Sequence, residues 1–224
     1  VFGHTDPFPV KERLRKELGR KNFVEVDHHL CHAAGAFFAS PFDAALIVSV
    51  DGFGDGAAAL LAKGEGIRIE ELERVSDCDS IGLEYLRATY HLGLGGYGSE
   101  GKTQGLASYG EALWFERYMN EIEITPAGGV RLSDKLQEPS SDLAVEGGYL
   151  NTQLLTNAFL DDLCRRRIAP EPLGEDHNNV AASIQKVLEH VVVEQCLIGK
   201  KRSGLDSLVL SGGVTMNSSL NGEL

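Results

Sequence analysis

At 224 residues, 42% of them apolar and 24% charged, the chain is long enough for one large α/β domain or two small ones. Its balance is that of a globular protein and excludes collagen-like, disordered and mucin-like classes. The formal net charge of -12 is spread along the chain and repels polyanions, which argues against nucleic acid as a partner. No apolar run reaches the roughly 18 residues of a membrane span, and Cys31, Cys78, Cys164 and Cys196 form no CxxC pair, so they read as reduced thiols of a cytoplasmic protein.

Val1 to Pro9 lack a basic segment followed by an apolar stretch, so no signal peptide is expected there. A first residue other than Met fits a processed or excised piece. Pro9 to Leu18 reads as a short charged helix stopped by Gly19, and Asn22 to Val26 as a strand of β-formers. His28 to Ala39 is a predicted helix ended by Pro41, and the apolar run Ala44 to Val50 a buried strand. Asp51-Gly-Phe-Gly-Asp-Gly56 is a turn, after which Ala57 to Ala62 and Ile67 to Val75 continue as a β-meander through Lys63-Gly-Glu-Gly66. A helix over Leu83 to Leu92 leads into the glycine-dense stretch Gly93 to Gly110, and residues 111–150 read as an insertion of short strands and turns. Asp176 to Lys201 is a long helix, with Val180, Ile184, Val187, Leu188, Val191 and Val192 at helical spacing. Leu205 to Leu210 is a strand, which Ser211-Gly-Gly213 turns into a last helix.

His28 and His32 are four apart, so a helix places both imidazoles on one face, about one turn apart. With Asp51 at the end of an apolar strand they make a two-histidine, one-carboxylate set that suits Fe(II) and is compatible with other divalent ions. On spacing alone, histidines packing at a helix start and an aspartate capping a hairpin explain the same residues equally well. Gly96-Tyr-Gly-Ser-Glu-Gly-Lys-Thr103 satisfies the P-loop expression GxxxxGK[ST]. A P-loop, however, needs a buried strand immediately before it and a helix immediately after, so that backbone amides aim at phosphate. The preceding residues are helix-like and then broken by glycine, which excludes that reading and leaves Lys102 as a point charge for phosphate in a loop of another kind. Gly212, Gly213 and Asn217 sit at a strand-to-helix turn where a ligand can approach the backbone, and Gly52, Gly54 and Asp55 form a similar turn. Each is also a common device for reversing the chain.

Taken in order, Asp27-His-His-Leu-Cys-His-Ala33, Ala39-Ser-Pro-Phe42, Asp51-Gly-Phe-Gly-Asp55, Gly98-Ser-Glu-Gly-Lys102, Gly105-Leu-Ala-Ser-Tyr-Gly110 and Leu210-Ser-Gly-Gly-Val214 resemble the O-carbamoyltransferases of the nodulation-protein and antibiotic-tailoring (NodU-like) type. The resemblance runs from about Asn22 to the C-terminus and is weakest between Glu111 and Leu173. Ser108 stands where proline is usual in that family. It implies an α/β fold of the actin, hexokinase and Hsp70 kind, with two RNase-H-like lobes around a nucleotide cleft. Residues 1–224 would be a partial catalytic domain, incomplete at both ends and without the YrdC-like domain that makes carbamoyl-adenylate from carbamoyl phosphate and ATP. Under this resemblance His28, His32 and Asp51 match metal ligands that serve catalysis, while Gly52, Gly54, Asp55, Lys102, Gly212, Gly213 and Asn217 would contact nucleotide or phosphate. The implied reaction passes the carbamoyl group of a carbamoyl-adenylate to a hydroxyl of a small-molecule or glycan acceptor. A non-catalytic adenine-nucleotide module, or a relative of the tRNA threonylcarbamoyl transferases, is the alternative. Truncated sheets expose strand edges and apolar faces, which predicts self-association into homodimers or aggregates.

Overall fold

The computed structural model describes residues 24–137 and 157–224, together with residues 16–17. In chain order the elements are α1 (His28–Phe37), β1 (Ala44–Gly54), β2 (Ala57–Glu65), β3 (Arg68–Ser76), α2 (Ile81–His91), α3 (Glu100–Ala107), α4 (Phe115–Met119), β4 (Ile122–Ile124), β5 (Val130–Leu132), α5 (Asp134–Gln137), α6 (Ala158–Leu163), α7 (Glu175–Ser203), β6 (Leu208–Ser211) and α8 (Ser218–Glu223). The fold is a mixed α/β arrangement built on a four-stranded sheet of order β3-β2-β1-β6. β1, β2 and β3 pair antiparallel, and β6 joins β1 in parallel.

β1 reads as an unbroken apolar run because helices cover both of its faces. Side chains alternate across a strand. Ala45 and Ile47 therefore meet Ala33 and Phe37 of α1 in one cluster, with Leu60, Ala62 and Val209. Leu46, Val48 and Val50 point the other way into the larger core, against Val180, Ile184, Val187, Leu188, Val191 and Val192 of α7. α7 runs 29 residues; His177 accepts the Gly174 N–H at its start, Lys200, Lys201 and Arg202 meet the negative end of its dipole, and Gly204 at φ 70° ends it. In the interior Glu84 and Arg87 of α2 pair, and Asn157 Nδ2 donates to both Glu84 oxygens at 3.3 and 3.2 Å, tying α2 to the start of α6.

Four sequence expectations need correction or completion. Val24 to Val26 form no strand: Val24 and Val26 are 88% and 56% exposed and, among the described residues, no strand runs beside them, and β-propensity acts only where a ladder and a packing surface exist. The rest of that segment, and most of the helix expected over Pro9 to Leu18, lies outside the described residues. The glycine-dense stretch contains α3, whose Gly101 and Gly105 have open space where a side chain would project. The turn after β6 does not enter an α-helix directly; a 3-10 segment, Gly213–Met216, intervenes, and Asn217 then caps α8. Of the expected insertion, the described part holds the β4–β5 hairpin, flanked by α4 and α5, with Gln195 Nε2 of α7 donating to Gly128 O at 3.0 Å. Among the described residues no helix is long and apolar enough to cross a membrane, and all four cysteines are free.

Candidate metal centre and adjoining cavity

The alternation that sends Ala45 and Ile47 toward α1 continues to Ser49 and then to Asp51, so the last carboxylate of the strand emerges on the α1 side. α1 meets it with its own periodicity. His29, Ala33 and Phe37, spaced by four, form the buried seam, and His29 Nδ1 lies 3.0 Å from Ser49 Oγ. His28 and His32 lie on the adjacent face and reach past the strand end. Both Nε2 atoms stand 3.1 Å from the same oxygen, Asp51 Oδ2, and the two rings meet edge-on with centroids 4.6 Å apart. The three potential ligand atoms all lie within 4.8 Å of one another. They are reachable from solvent, with His28, His32 and Asp51 side chains 37%, 35% and 20% exposed.

The strand is irregular where this happens. Pairing with β2 shifts between Val50 and Gly54, so Asp51, Gly52 and Phe53 occupy a bulge, the device that re-aims a side chain at a strand end. Burial alone pushes the Asp51 carboxyl up, but the Gly52 amide on Oδ1 at 2.7 Å, the bond from His28 and the positive charge of His28 and His32 outweigh it, and the net shift is downward. Asp51 is therefore an ionised acceptor near neutral pH. His29 is also shifted downward, here because burial disfavours its charged form, so this core histidine is neutral near neutral pH.

The glycines expected to touch phosphate divide into two groups. Gly52, Gly213 and Asn217 line a cavity of about 400 Å³ that opens from Asp51 between α2, α3 and the 213–217 turn. Gly54, Asp55, Lys102 and Gly212 do not line it. A Cβ on Gly54 would collide with the His28 ring, and one on Gly212, at φ 89°, with the Val50 carbonyl, so these two glycines permit close packing behind the cluster. Asp55 Oδ2 instead accepts the His28 backbone N–H at 2.9 Å. Lys102 Nζ donates to Leu94 O at 2.8 Å. Helix α2 rather than a strand precedes Gly96–Thr103, so the structural context of a P-loop is missing, as expected from the sequence. Asn217 faces the cavity with its amide already engaged: Oδ1 accepts from Leu220 N and Gln185 Nε2, both at 3.0 Å, and Nδ2 donates to Gln185 Oε1 at 2.9 Å.

Phe53, Tyr85, Tyr97 and Met216 also line the cavity and were not singled out from the sequence. Tyr97 and Met216 are 72% and 84% exposed at its edge, and an exposed aromatic in a glycine-rich loop was the one available signal. A wider cleft of about 580 Å³ between α3 and α7 shares only Gln104 with this cavity and includes none of His28, His32 or Asp51. The smaller cavity is therefore the one tied to the cluster.

The family model described as "Carbamoyltransferase N-terminus" matches residues 8–224. The chain belongs to that family. It is 34% identical to the nodulation protein NolNO of Sinorhizobium fredii over 97% of the chain and 30% of that protein. It is 32% identical to the nodulation protein NolO of Bradyrhizobium diazoefficiens over 89% of the chain and 33% of that protein. A similarity of 29% over 99% of the chain extends to the uncharacterized protein MJ1058 of Methanocaldococcus jannaschii, of which it covers 36%. The chain thus spans about a third of the length of these curated relatives.

Proposed function

We propose that this chain is the part of a carbamoyltransferase that holds a divalent metal ion, Fe(II) foremost, and a carbamoyl-adenylate, for transfer of the carbamoyl group to a hydroxyl of a small-molecule or glycan acceptor. Membership of the carbamoyltransferase family supports the reaction class. The observation that carries the rest is the convergence of His28, His32 and Asp51 at the edge of a cavity. Adjacent ligands of a divalent ion bound at about 2.0–2.2 Å stand roughly 3 Å apart. The 3.1 Å from Asp51 Oδ2 to each Nε2 fits that spacing, and the donor set of two imidazoles and an ionised carboxylate fits Fe(II).

Charge supports the same reading. Among the described residues the cavity lining includes Asp51 and Glu100 and no Lys, Arg or His. A nucleotide phosphate entering it meets net negative charge, which a divalent cation held at the rim would neutralise. When bound, the ion would supply Lewis-acid polarisation of the carbamoyl carbonyl. The chain's own residues do the positioning. His28, His32 and Asp51 would grip the ion, the lack of a side chain at Gly52 and Gly213 admits a ligand closely, and Phe53, Tyr97 and Met216 offer apolar surface to a base or acceptor. The mixed sheet, three antiparallel strands joined by hairpins with a fourth added in parallel, supports one RNase-H-like lobe of a two-lobe actin-like fold. The free state of all four cysteines supports a reducing, cytoplasmic setting.

The test is metal content. In the full-length protein, His32→Ala is expected to reduce bound iron from about one ion per chain to near zero and to abolish carbamoyl transfer, with elemental analysis and product mass spectrometry as the measurements. His32→Ala protein that retains its iron rules out the ligand assignment.

A further inference from the structure

The geometry points to Asp55 as a positioning residue: through its hydrogen bond to the backbone of His28 it locks the histidine helix onto the strand that carries the third ligand, and so sets the geometry of the metal centre. This rests on the metal-binding reading above and assigns Asp55 a role other than phosphate contact.

Helix α1 begins at His28 itself, and the first helical bond is Cys31 N to Asp27 O at 2.9 Å, so the N–H groups of residues 28–30 need partners from outside the helical ladder. Two carboxylates from different places supply two of them. Asp27, the N-cap, accepts from Leu30 N at 2.9 Å, and Asp55 accepts from His28 N at 2.9 Å. Asp27 is in turn held by Arg74 of β3, whose Nη1 and Nη2 donate to its two oxygens at 3.0 and 3.4 Å. The Asp27 clasp ties the helix to the far strand of the meander. The Asp55 bond holds the backbone at the helix start to the β1–β2 hairpin, four residues beyond Asp51, alongside the side-chain contacts of His28 and His32 with Asp51 and of His29 with Ser49.

His28 is therefore fixed twice to one hairpin. Its backbone N–H is held by Asp55 Oδ2 and its Nε2 faces Asp51 Oδ2 at 3.1 Å. Between those two points its ring lies against Gly54, where any Cβ would collide with it. The carboxylate is placed by a conformation that aspartate tolerates and most residues do not. Asp55 has φ 51°, followed by Gly56 at φ 80°, the pair of positive values required by a two-residue hairpin turn. An exposed carboxylate at this place adds little packing, so its contribution is to orientation. Losing an outer contact that orients a ligating histidine typically weakens metal binding by about 10- to 100-fold.

Two substitutions separate position from charge without disturbing the turn. Asp55→Gly keeps the positive φ and removes the acceptor; Asp55→Asn keeps both the positive φ and an acceptor oxygen. Full-length protein would be stripped of metal and titrated with Co(II), following affinity and the visible d–d spectrum, with the thermal midpoint of the metal-free protein as the control for folding. We expect Asp55→Gly to bind Co(II) about tenfold more weakly with an altered spectrum, Asp55→Asn to stay within about twofold of the parent protein, and both midpoints to remain near the parent value. Parent-like affinity in Asp55→Gly, alongside lost affinity in His32→Ala, overturns the positioning role and leaves the metal reading intact. A tenfold loss in Asp55→Asn overturns it too, because charge would then matter and not the bond. Parent-like affinity in His32→Ala overturns the metal reading and this inference together.

Discussion

The two faces of β1 are one residue apart in sequence and opposite in purpose. On the α7 side, Leu46, Val48 and Val50 enter a continuous aliphatic core. On the α1 side the strand offers Ala45, Ile47 and Ser49 and finishes in Asp51, against a helix that answers with His29, Ala33 and Phe37 and carries His28 and His32 beside them. The small side chains on that side bring α1 close, and closeness lets imidazoles reach the strand end. The α7 face supplies stability and the α1 face supplies geometry, so substitutions on the two faces should fail differently.

The sharpest way to break this comparison is Ile184→Ala on α7. Ile184 is fully buried, and truncation there should cost about 2–5 kcal/mol of unfolding free energy, seen as a lowered denaturation midpoint, while Co(II) affinity of the protein that remains folded stays unchanged. A loss of affinity without a loss of stability would mean that the two faces are coupled.

A pH titration sharpens it at smaller amplitude. Burial pushes His91, at the end of α2, below its ordinary value, and the bond from its Nε2 to Cys164 O at 3.0 Å does not offset the shift. The unfolded chain therefore binds a proton near pH 6.5 that the folded chain refuses. Stability of the metal-free protein should fall as pH drops from about 6.5 toward the folded value, by up to about 1.4 kcal/mol per pH unit for this one group. Denaturation curves of His91→Gln should show a shallower slope over that window, whatever their absolute midpoint. An unchanged slope would remove His91 from the account.

The smallest effect is expected at Lys102. Its ammonium already donates to Leu94 O, and it does not line the cavity. Lys102→Ala should change stability by less than about 0.5 kcal/mol and leave nucleotide affinity, measured by calorimetry with ADP, within about twofold. A large loss of affinity would restore a phosphate role to this loop.

Much of the site was legible before any coordinates. The i, i+4 spacing of His28 and His32 follows from helical periodicity, and Asp51 closes an apolar run whose odd positions share one face. The absence of a strand before Gly96 sufficed to set aside the P-loop expression, and α2 occupies that place. Asp27 caps the histidine helix by accepting from Leu30 N, a local contact that was not singled out from the sequence. The strand expected at Asn22 to Val26 is absent over its described part, Val24 to Val26, whose valines are exposed with no ladder beside them among the described residues, a fact outside the segment itself.

What the sequence by itself determined are properties set by neighbours in the chain: the presence and helical phase of α1 and α7, the start of β1 as an apolar run, and a reversal within Asp51–Gly56, although β1 runs on through Gly54 and the turn narrows to Asp55-Gly56. Only the tertiary structure decided that both imidazoles share one oxygen of Asp51, that Gly54 leaves room for the His28 ring, and that Asp55 turns to the helix rather than to the cavity. Those contacts join residues 19 to 27 positions apart across a helix–hairpin interface. Their distances depend on how closely two packed elements approach, which periodicity along a single chain does not contain.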